Sequence, residues 1–400
     1  MTGERWREPS RPARSPVTAS RREVAAILGA AEVPYNRHPP TGTTTTALLA
    51  DAFVRVLEAA DVERDEVDGL GVASFTLAPD HAIDLAWRLG IRLRWMMEDP
   101  HGGVSALNLL QHALHAVEAG VATNVVLLAG DHFGPGDFGR LASHYNRATS
   151  ERLAPIPTGG PNAQFALVTQ RHMARHGLGR EDYAVIPVSQ RTWAARNPGA
   201  VYRESLSLED YLAAPVVAPP LGRYDCVPVV SGADAILVSR ALPNRPGVRV
   251  RALRSSFNHD NQLGDGLSTG LGTVAAELWD AAGFGPNDVD LACVYDDYPV
   301  MVLIQLDDLG FVRDGDVRRF IRERLDGDRW PLNTSGGQLS AGQAGAAGGM
   351  HGVVEAVRQL LGQTGERQVV GARRAIVTGY GGVVYLHGGG AAVAALESVG

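Results

Sequence analysis

The sequence predicts a layered α/β protein built from two similar halves, and three observations carry this reading. Amphipathic or nearly all-round apolar helical segments alternate with short apolar strands, as in residues 105–118 followed by 125–130, and 352–361 followed by 375–379. The pairs Val67-Asp68 and Val289-Asp290 stand 289 − 67 = 222 residues apart, each after a helical segment and a Gly/Asp-rich turn, a spacing that suggests duplication. A chain of 400 residues, 45% hydrophobic and 20% charged, is long enough for two core-bearing units.

Residues 23–29 are an apolar run ending in glycine, read as the first strand; residues 44–60 carry a helical stripe, and residues 66–72 a second strand. The helix of residues 105–118 stops at Gly120 and feeds the buried strand of residues 125–130. Residues 132–225 interrupt the plan. Pro155-Ile156-Pro157, Thr158-Gly159-Gly160-Pro161, Asn197-Pro198 and the prolines at 215, 219 and 220 mark a loop-rich insertion. Long loops on a rigid core commonly carry substrate contacts. Residues 225–238 return the chain to the core, so the first half spans 23–245 and the second 246–400. In the second half, helices over 273–282 and 352–361 precede strands over 288–294 and 375–379. Residues 1–22 set six arginines, from Arg5 to Arg22, among Pro and Ser, and read as a disordered basic arm.

A net charge of −7 gives no basic face for nucleic acid. Cys226 and Cys293 are too few for a disulfide framework and fit a reducing cytoplasm, and neither lies in a Cys-x-x-Cys pair, so no metal site is expected. No apolar run is long enough to span a membrane. Phosphate-cradling and dinucleotide motifs are missing, so no permanently bound cofactor is expected.

The most informative stretch is Asn333-Thr334-Ser335-Gly336-Gly337-Gln338-Leu339-Ser340, which runs through Gly342-Gln343 into a segment of small residues up to Met350. Residues without bulk let backbone approach something closely. A glycine turn facing a helix N-terminus suits an anion or oxyanion, and it equally suits a tight loop packed under a core helix.

Taken with Glu355-Ala356-Val357-Arg358-Gln359-Leu360, Asn197-Pro198-Gly199-Ala200, Pro219-Pro220-Leu221 and Ser231-Gly232-Ala233-Asp234-Ala235, this stretch resembles the thiolase superfamily, in its lipid-transfer or SCP2-thiolase branch. The resemblance covers the chain from about residue 23 onward. It implies a duplicated five-layer αβαβα fold, a homodimer, and an acyl-CoA thioester as substrate, with coenzyme A present only as part of that substrate.

The departures from that family are specific. The thiolase nucleophilic Cys falls on Pro100 within Asp99-Pro100-His101-Gly102-Gly103, the His of its Gly-His-Pro falls on Gln343, and its C-terminal Cys-x-Gly loop reads Thr378-Gly379-Tyr380-Gly381-Gly382. The loop that is His-Asp-Cys-Phe in the SCP2 branch reads Tyr295-Asp296-Asp297-Tyr298. This pattern looks like the steroid side-chain aldolases of the branch, which split a β-hydroxyacyl-CoA beside a partner with an OB-fold domain. The resemblance therefore implies such a partner, carrying a zinc ribbon, in a heterotetramer.

Without a thiolate no acyl-enzyme forms. A retro-aldol cleavage needs only a base for the β-hydroxyl and a stabiliser for the thioester enolate. Tyr295 is the candidate acid/base, on condition that its pKa is lowered from about 10; a core aromatic with a satisfied hydroxyl is the other reading of it. Asn333, Gln343 and His101 are the further catalytic candidates, with His351 as an additional polar group; His101 reads equally as a hydrogen-bonded turn residue. Gly102, Gly103, Gly336, Gly337, Tyr380, Gly381 and Gly382 are the candidate substrate and oxyanion contacts. His259-Asp260 matches neither a metal site nor a triad, for want of a third residue at fitting spacing, and His387, beside Tyr385, reads equally as a surface residue. Two alternatives stand beside the lyase: a Cys-independent acyl or Claisen-type transferase, and a non-catalytic acyl-CoA-binding subunit.

Overall fold

In the first half, strand β1 (Ala25–Asn36) leads to helix α1 (Thr45–Ala60), β2 (Gly69–Ala73), α2 (Ala82–Leu89), β3 (Trp95–Glu98), α3 (Ser105–Glu118) and β4 (Asn124–Asp131). The protein is described by a computed structural model that covers residues 24–399 apart from 154, 155, 157–159, 242–244, 328 and 385; the basic arm expected over residues 1–22 lies outside the described residues. Local chemistry sets the ends. Thr44 caps α1 by accepting from the Ala47 N–H at 3.1 Å, and Gly90, at φ +69°, closes α2 in the left-handed region.

The segment expected to be loop-rich is largely helical: α4 (Asp137–Ser143), α5 (Pro161–His176), α6 (Arg180–Tyr183), α7 (Val185–Ala194) and α8 (Leu208–Ala213), then a short ribbon of β5 (Val216–Ala218) and β6 (Leu221–Gly222). Its prolines and glycines punctuate helices instead of replacing them. Pro161 occupies the first turn of α5, where no N–H partner is needed, and Gly177 ends it at φ +64°.

Strand β7 (Ser231–Arg240) returns to the core, and the second half follows as β8 (Gly247–Phe257), α9 (Ala275–Ala282), β9 (Leu291–Cys293), α10 (Pro299–Asp308), α11 (Val317–Phe320), α12 (Gly337–Ala341), α13 (Gly348–Leu360), β10 (Arg374–Val383) and β11 (Gly388–Val399). The strands run in the order β3-β2-β4-β7-β1-β8-β11-β10-β9. Only one residue pair, Ile27 with Val248, joins β1 to β8, so the sheet divides there into two halves with matching order. β3, β2 and β4 are parallel and β7 and β1 antiparallel; β9 and β10 are parallel and β11 and β8 antiparallel. The place of β3 in the second half is held by Leu332, bridged in parallel to Ala292.

Five layers result. α3 and α13 lie in the middle, and their apolar residues share one core with β4, β7 and β1 on one side and β9, β10 and β11 on the other. α1 and α2 cover the outer face of the first half, and α9 and α10 that of the second. The helices of the central layer are apolar nearly all round because protein surrounds them. Two polar residues on α13 have internal partners: Glu355 pairs with Arg367 at 2.9 Å and accepts from Thr334 Oγ1 at 2.7 Å, and Gln359 Nε2 donates to the Arg367 carbonyl at 2.9 Å.

Candidate active site

Gly103 is the point on which four loops converge. It lies in the short turn Gly102–Val104 between β3 and α3, and a Cβ built on it would overlap the Tyr380 carbonyl and the Tyr295 ring. Cβ atoms on Gly349 and Gly379 would each stand 2.5 Å from the Gly103 carbonyl, and one on Gly381 would stand 2.7 Å from its N–H nitrogen. The small-residue run before α13 and the glycines of β10 thus serve one purpose, the close approach of backbone to this turn.

Tyr295 follows β9 with its backbone tied on both sides. Its N–H donates to Thr378 Oγ1 at 2.9 Å and its carbonyl accepts from Gln305 Nε2 at 2.8 Å. Asn333 uses its whole amide on the residue before, accepting from the Val294 N–H at 2.7 Å and donating to the Val294 carbonyl at 2.9 Å. Asn333, itself at φ +50°, therefore positions the tyrosine loop. The Tyr295 hydroxyl accepts from Gln343 Nε2 at 3.0 Å, and the same nitrogen donates to Gln338 Oε1 at 3.0 Å.

The condition set for Tyr295, a lowered pKa, is reversed. Burial pushes the phenol well above its ordinary value, the carboxyls of Asp297 and Asp296 and the phenol of Tyr145 add to this, and the bond from Gln343 offsets only part of it. Tyr295 is a neutral phenol whose oxygen is occupied as an acceptor, which leaves its proton to donate.

His101 stands on the rim of a cleft of about 770 Å³ between the Pro100 turn and the insertion, lined also by Phe75, Leu77, Leu141, Tyr145 and Gly382. Its ring Nδ1 lies 2.7 Å from Asp99 Oδ1, so Nδ1 carries a proton directed at that carboxylate. Asp99 is buried and takes further bonds from the His101 N–H, Ser105 Oγ and Asn108 Nδ2. Burial pushes its carboxyl up, but these donors together hold it below the ordinary range. Tyr145 is coupled to both groups: burial and the Asp99 charge raise it to about 12, its oxygen accepts from the Gly382 N–H, and it contributes to the upward shift of Tyr295.

The glycine turn of residues 333–337 does face a carboxyl group, and that group belongs to the chain; burial pushes it up, and its backbone donors offset part of this. Asp296 accepts from the Gln338 N–H at 3.0 Å and the Leu339 N–H at 3.4 Å, at the start of α12. Gly336 N–H donates to the Asn333 carbonyl at 2.8 Å and Gly337 N–H to Ser335 Oγ at 3.2 Å. Both expected oxyanion donors are thus engaged inside the loop. Tyr380 is a buried core ring whose hydroxyl accepts from the Gly388 N–H at 2.6 Å.

Several residues of the site carry no signal in the sequence. Asp99 stands beside Pro100 without a motif of its own, and Tyr145 lies in a segment that reads as loop. Asp297 carries a buried carboxylate oxygen without a hydrogen-bond partner, and burial and Asp296 push it well above the ordinary range. His387, read as surface, is buried and stands 3.0 Å from Asp260, which gives that pair the third residue the spacing did not show. The cysteines are inert as nucleophiles: burial raises Cys226 to about 12 and Cys293 well above its ordinary value.

The chain is similar to known proteins over most of its length. Residues 254–389 match the family described as thiolase C-terminal domain-like. Over 384 residues, covering 90% of this chain and 97% of the other, the sequence is 33% identical to the 17-hydroxy-3-oxo-4-pregnene-20-carboxyl-CoA lyase of Mycobacterium tuberculosis. It is 31% identical to the steroid side-chain-cleaving aldolase of Thermomonospora curvata, over 85% of this chain and 90% of that one. The solved structure of an Ltp2-ChsH2(DUF35) aldolase superposes with a TM-score of 0.80 at 26% identity, covering 94% of this chain and 98% of that chain. With a duplicated five-layer core, a tyrosine in the loop after β9 and no thiolate beside it, this chain belongs to the thiolase superfamily, in the SCP2-like branch that includes these side-chain-cleaving aldolases.

Proposed function

We propose that the protein is a thiolase-like aldolase, a carbon-carbon lyase that cleaves or forms a β-hydroxyacyl-CoA thioester without a covalent acyl-enzyme. The observation that carries this reading is the neutral, Gln343-held phenol of Tyr295 packed against the turn where a thiolase would place its nucleophile.

In the cleavage direction His101 Nε2 takes the proton of the substrate β-hydroxyl, with Asp99 fixing the tautomer and stabilising the imidazolium that forms. The Cα–Cβ bond breaks, its electron pair moves to the thioester as an enolate, and the β-carbon leaves as a ketone or aldehyde. Tyr295 donates its proton to the enolate α-carbon and gives the shorter acyl-CoA. The proton balance closes when His101 returns its proton to the tyrosinate through solvent. Backbone N–H groups of Gly102, Gly103 and Gly381 are the oxyanion donors of this scheme, one such donor being worth roughly 3 kcal/mol.

The apolar wall of Phe75, Leu77 and Leu141 suits a bulky hydrocarbon acyl group. A second copy of the chain and an OB-fold, zinc-ribbon partner complete the proposed assembly, a heterotetramer supported by the likeness to the two-component Ltp2-ChsH2(DUF35) aldolase.

The test is an acyl-CoA assay with mass detection of released short-chain acyl-CoA, on the chain alone and with an OB-fold partner. Release that disappears in Tyr295→Phe establishes the lyase. Binding of CoA esters without turnover across a broad panel, partner present, would give the non-catalytic reading instead, and transfer of an acyl group to a second CoA ester the transferase.

A further inference from the structure

Glu32 and Asp234 face each other directly across β1 and β7. Like charges in this position repel, and burial makes the repulsion worse. Asp234 is fully buried, its Oδ2 accepts from the Tyr35 hydroxyl at 2.7 Å, and its Oδ1 has no hydrogen-bond partner. His351, 3% exposed in the first turns of α13, completes the group: its Nε2 is 2.7 Å from Ser335 Oγ, and its Nδ1, 3.4 Å from Glu32 Oε2, also has no hydrogen-bond partner. One ligand atom from each of the three residues lies within 4.8 Å of the others.

We propose that Glu32, Asp234 and His351 bind a divalent cation of the zinc class. The three ligand atoms lie within 4.8 Å of one another, close enough for one ion to draw them together. A tetrahedral centre with bonds of about 2.0–2.1 Å has ligand-to-ligand edges of roughly 3.3–3.4 Å, and the separation of His351 Nδ1 from Glu32 Oε2 has this length while being long for a hydrogen bond. Ser335 Oγ, 2.7 Å from the far ring nitrogen, can accept its proton, the arrangement in which Nδ1 is free to ligate, and Tyr35 occupies the far oxygen of Asp234. Two carboxylates, a neutral imidazole and a dication sum to zero charge, which suits a buried site. Three protein ligands leave the fourth position to water, and Glu32, whose side chain is 14% exposed, gives the approach from solvent. Burial and the Glu32 charge push Asp234 up to about 8, the electrostatic cost that a cation would remove.

This departs from the sequence expectation of no metal, which rested on the absence of clustered Cys and His; residues 32, 234 and 351 come together only through the fold. The competing occupant of the gap is a proton: burial lowers His351, but Glu32 outweighs it and raises the imidazole to about 9.

The experiment uses the full chain stripped by chelator, then titrated with Co²⁺ and Zn²⁺. The expected result is one ion per chain, a tetrahedral Co²⁺ absorption band, and in ¹⁵N-histidine protein one imidazole that becomes metallated at Nδ1 and stays protonated at Nε2. Asp234→Asn and Glu32→Gln should each weaken binding by at least the 10–100-fold that loss of an outer partner costs. Should Asp234→Asn not fold, Glu32→Gln at the rim and the wild-type histidine spectrum decide. A folded wild-type chain that binds no Co²⁺, ions that bind equally well to both variants, or an imidazole that keeps both N–H protons with Zn²⁺ present would each overturn the proposal.

Discussion

Gly103 allows no side chain. A methyl group there meets the Tyr380 backbone and the Tyr295 ring, neither of which can yield without moving β10 or the tyrosine loop. Gly103→Ala is expected to lower stability by about 1–3 kcal/mol through overpacking and to abolish turnover even where the variant folds; a thermal melt and the acyl-CoA assay read the two effects separately. Tyr295→Phe keeps the ring and the packing but loses the proton, so turnover should fall roughly 10²–10⁴-fold with the melting temperature almost unchanged. Asp99 is the complementary case. Its folded pKa is depressed below the ordinary 3.8, so its contribution to stability is present above that value and is lost as pH falls through the folded one. Asp99→Asn removes this dependence and frees the His101 tautomer, so kcat should drop with little change in KM, and the acid limb of the melting profile should flatten. An unaltered kcat would separate His101 from the chemistry.

At the scale of elements, the 222-residue echo has a structural cause. Asp68 accepts from the N–H groups of Thr123 and Asn124 at 2.7 and 3.0 Å, where β4 begins, and Asp290 accepts from those of Arg373 and Arg374 at 2.8 and 2.9 Å, where β10 begins. Each carboxylate fastens the entry of the strand beside its own. Asp68→Ala and Asp290→Ala should therefore cost similar amounts, about 1.5–3 kcal/mol each for bonds to a charged acceptor, and should add in the double variant because the sites lie in different halves; chemical denaturation measures all three. This pair is legible because a turn carboxylate beside an apolar run leaves a mark in the sequence. Two strands, β2 and β9, are shorter than their apolar runs suggest: 64–66 form a 3-10 turn in which the Glu66 carboxylate accepts from the Glu63 N–H at 2.9 Å, so β2 starts only at Gly69. The insertion departs from its expected loops for a related reason. Pro187 in the first turn of α7 and Gly160 and Gly177 at the ends of α5 are compatible with helix, but in a sequence they look the same as loop punctuation.

For the whole molecule, the long-range pairings divide what the sequence could show from what it could not. Order and spacing were enough for the layered, duplicated plan, and the resemblance to thiolases pointed to the loops that meet at Gly103. Partnerships such as Asp99 with His101, Gln343 with Tyr295, and Glu32 with Asp234 and His351 depend on side-chain direction after folding, and no period or motif encodes them. The assembly proposed above can be argued from the surface. β3 is the free edge of the first half, and beside it Met96 on the strand and Ile83 and Trp87 on α2 are 43%, 58% and 78% exposed. An open edge with large apolar side chains next to it is a poor surface to leave in water and a good one for a second copy to cover by strand pairing. Trp87→Lys with Met96→Asp places charges on this face without touching the core or the cleft. Sedimentation should then show a shift from dimer to monomer with the far-UV spectrum preserved, while Leu263→Lys, at an equally exposed apolar position of the second half, should leave the dimer intact. Retention of the dimer in the double variant would remove this edge from the assembly and direct the search to the second half.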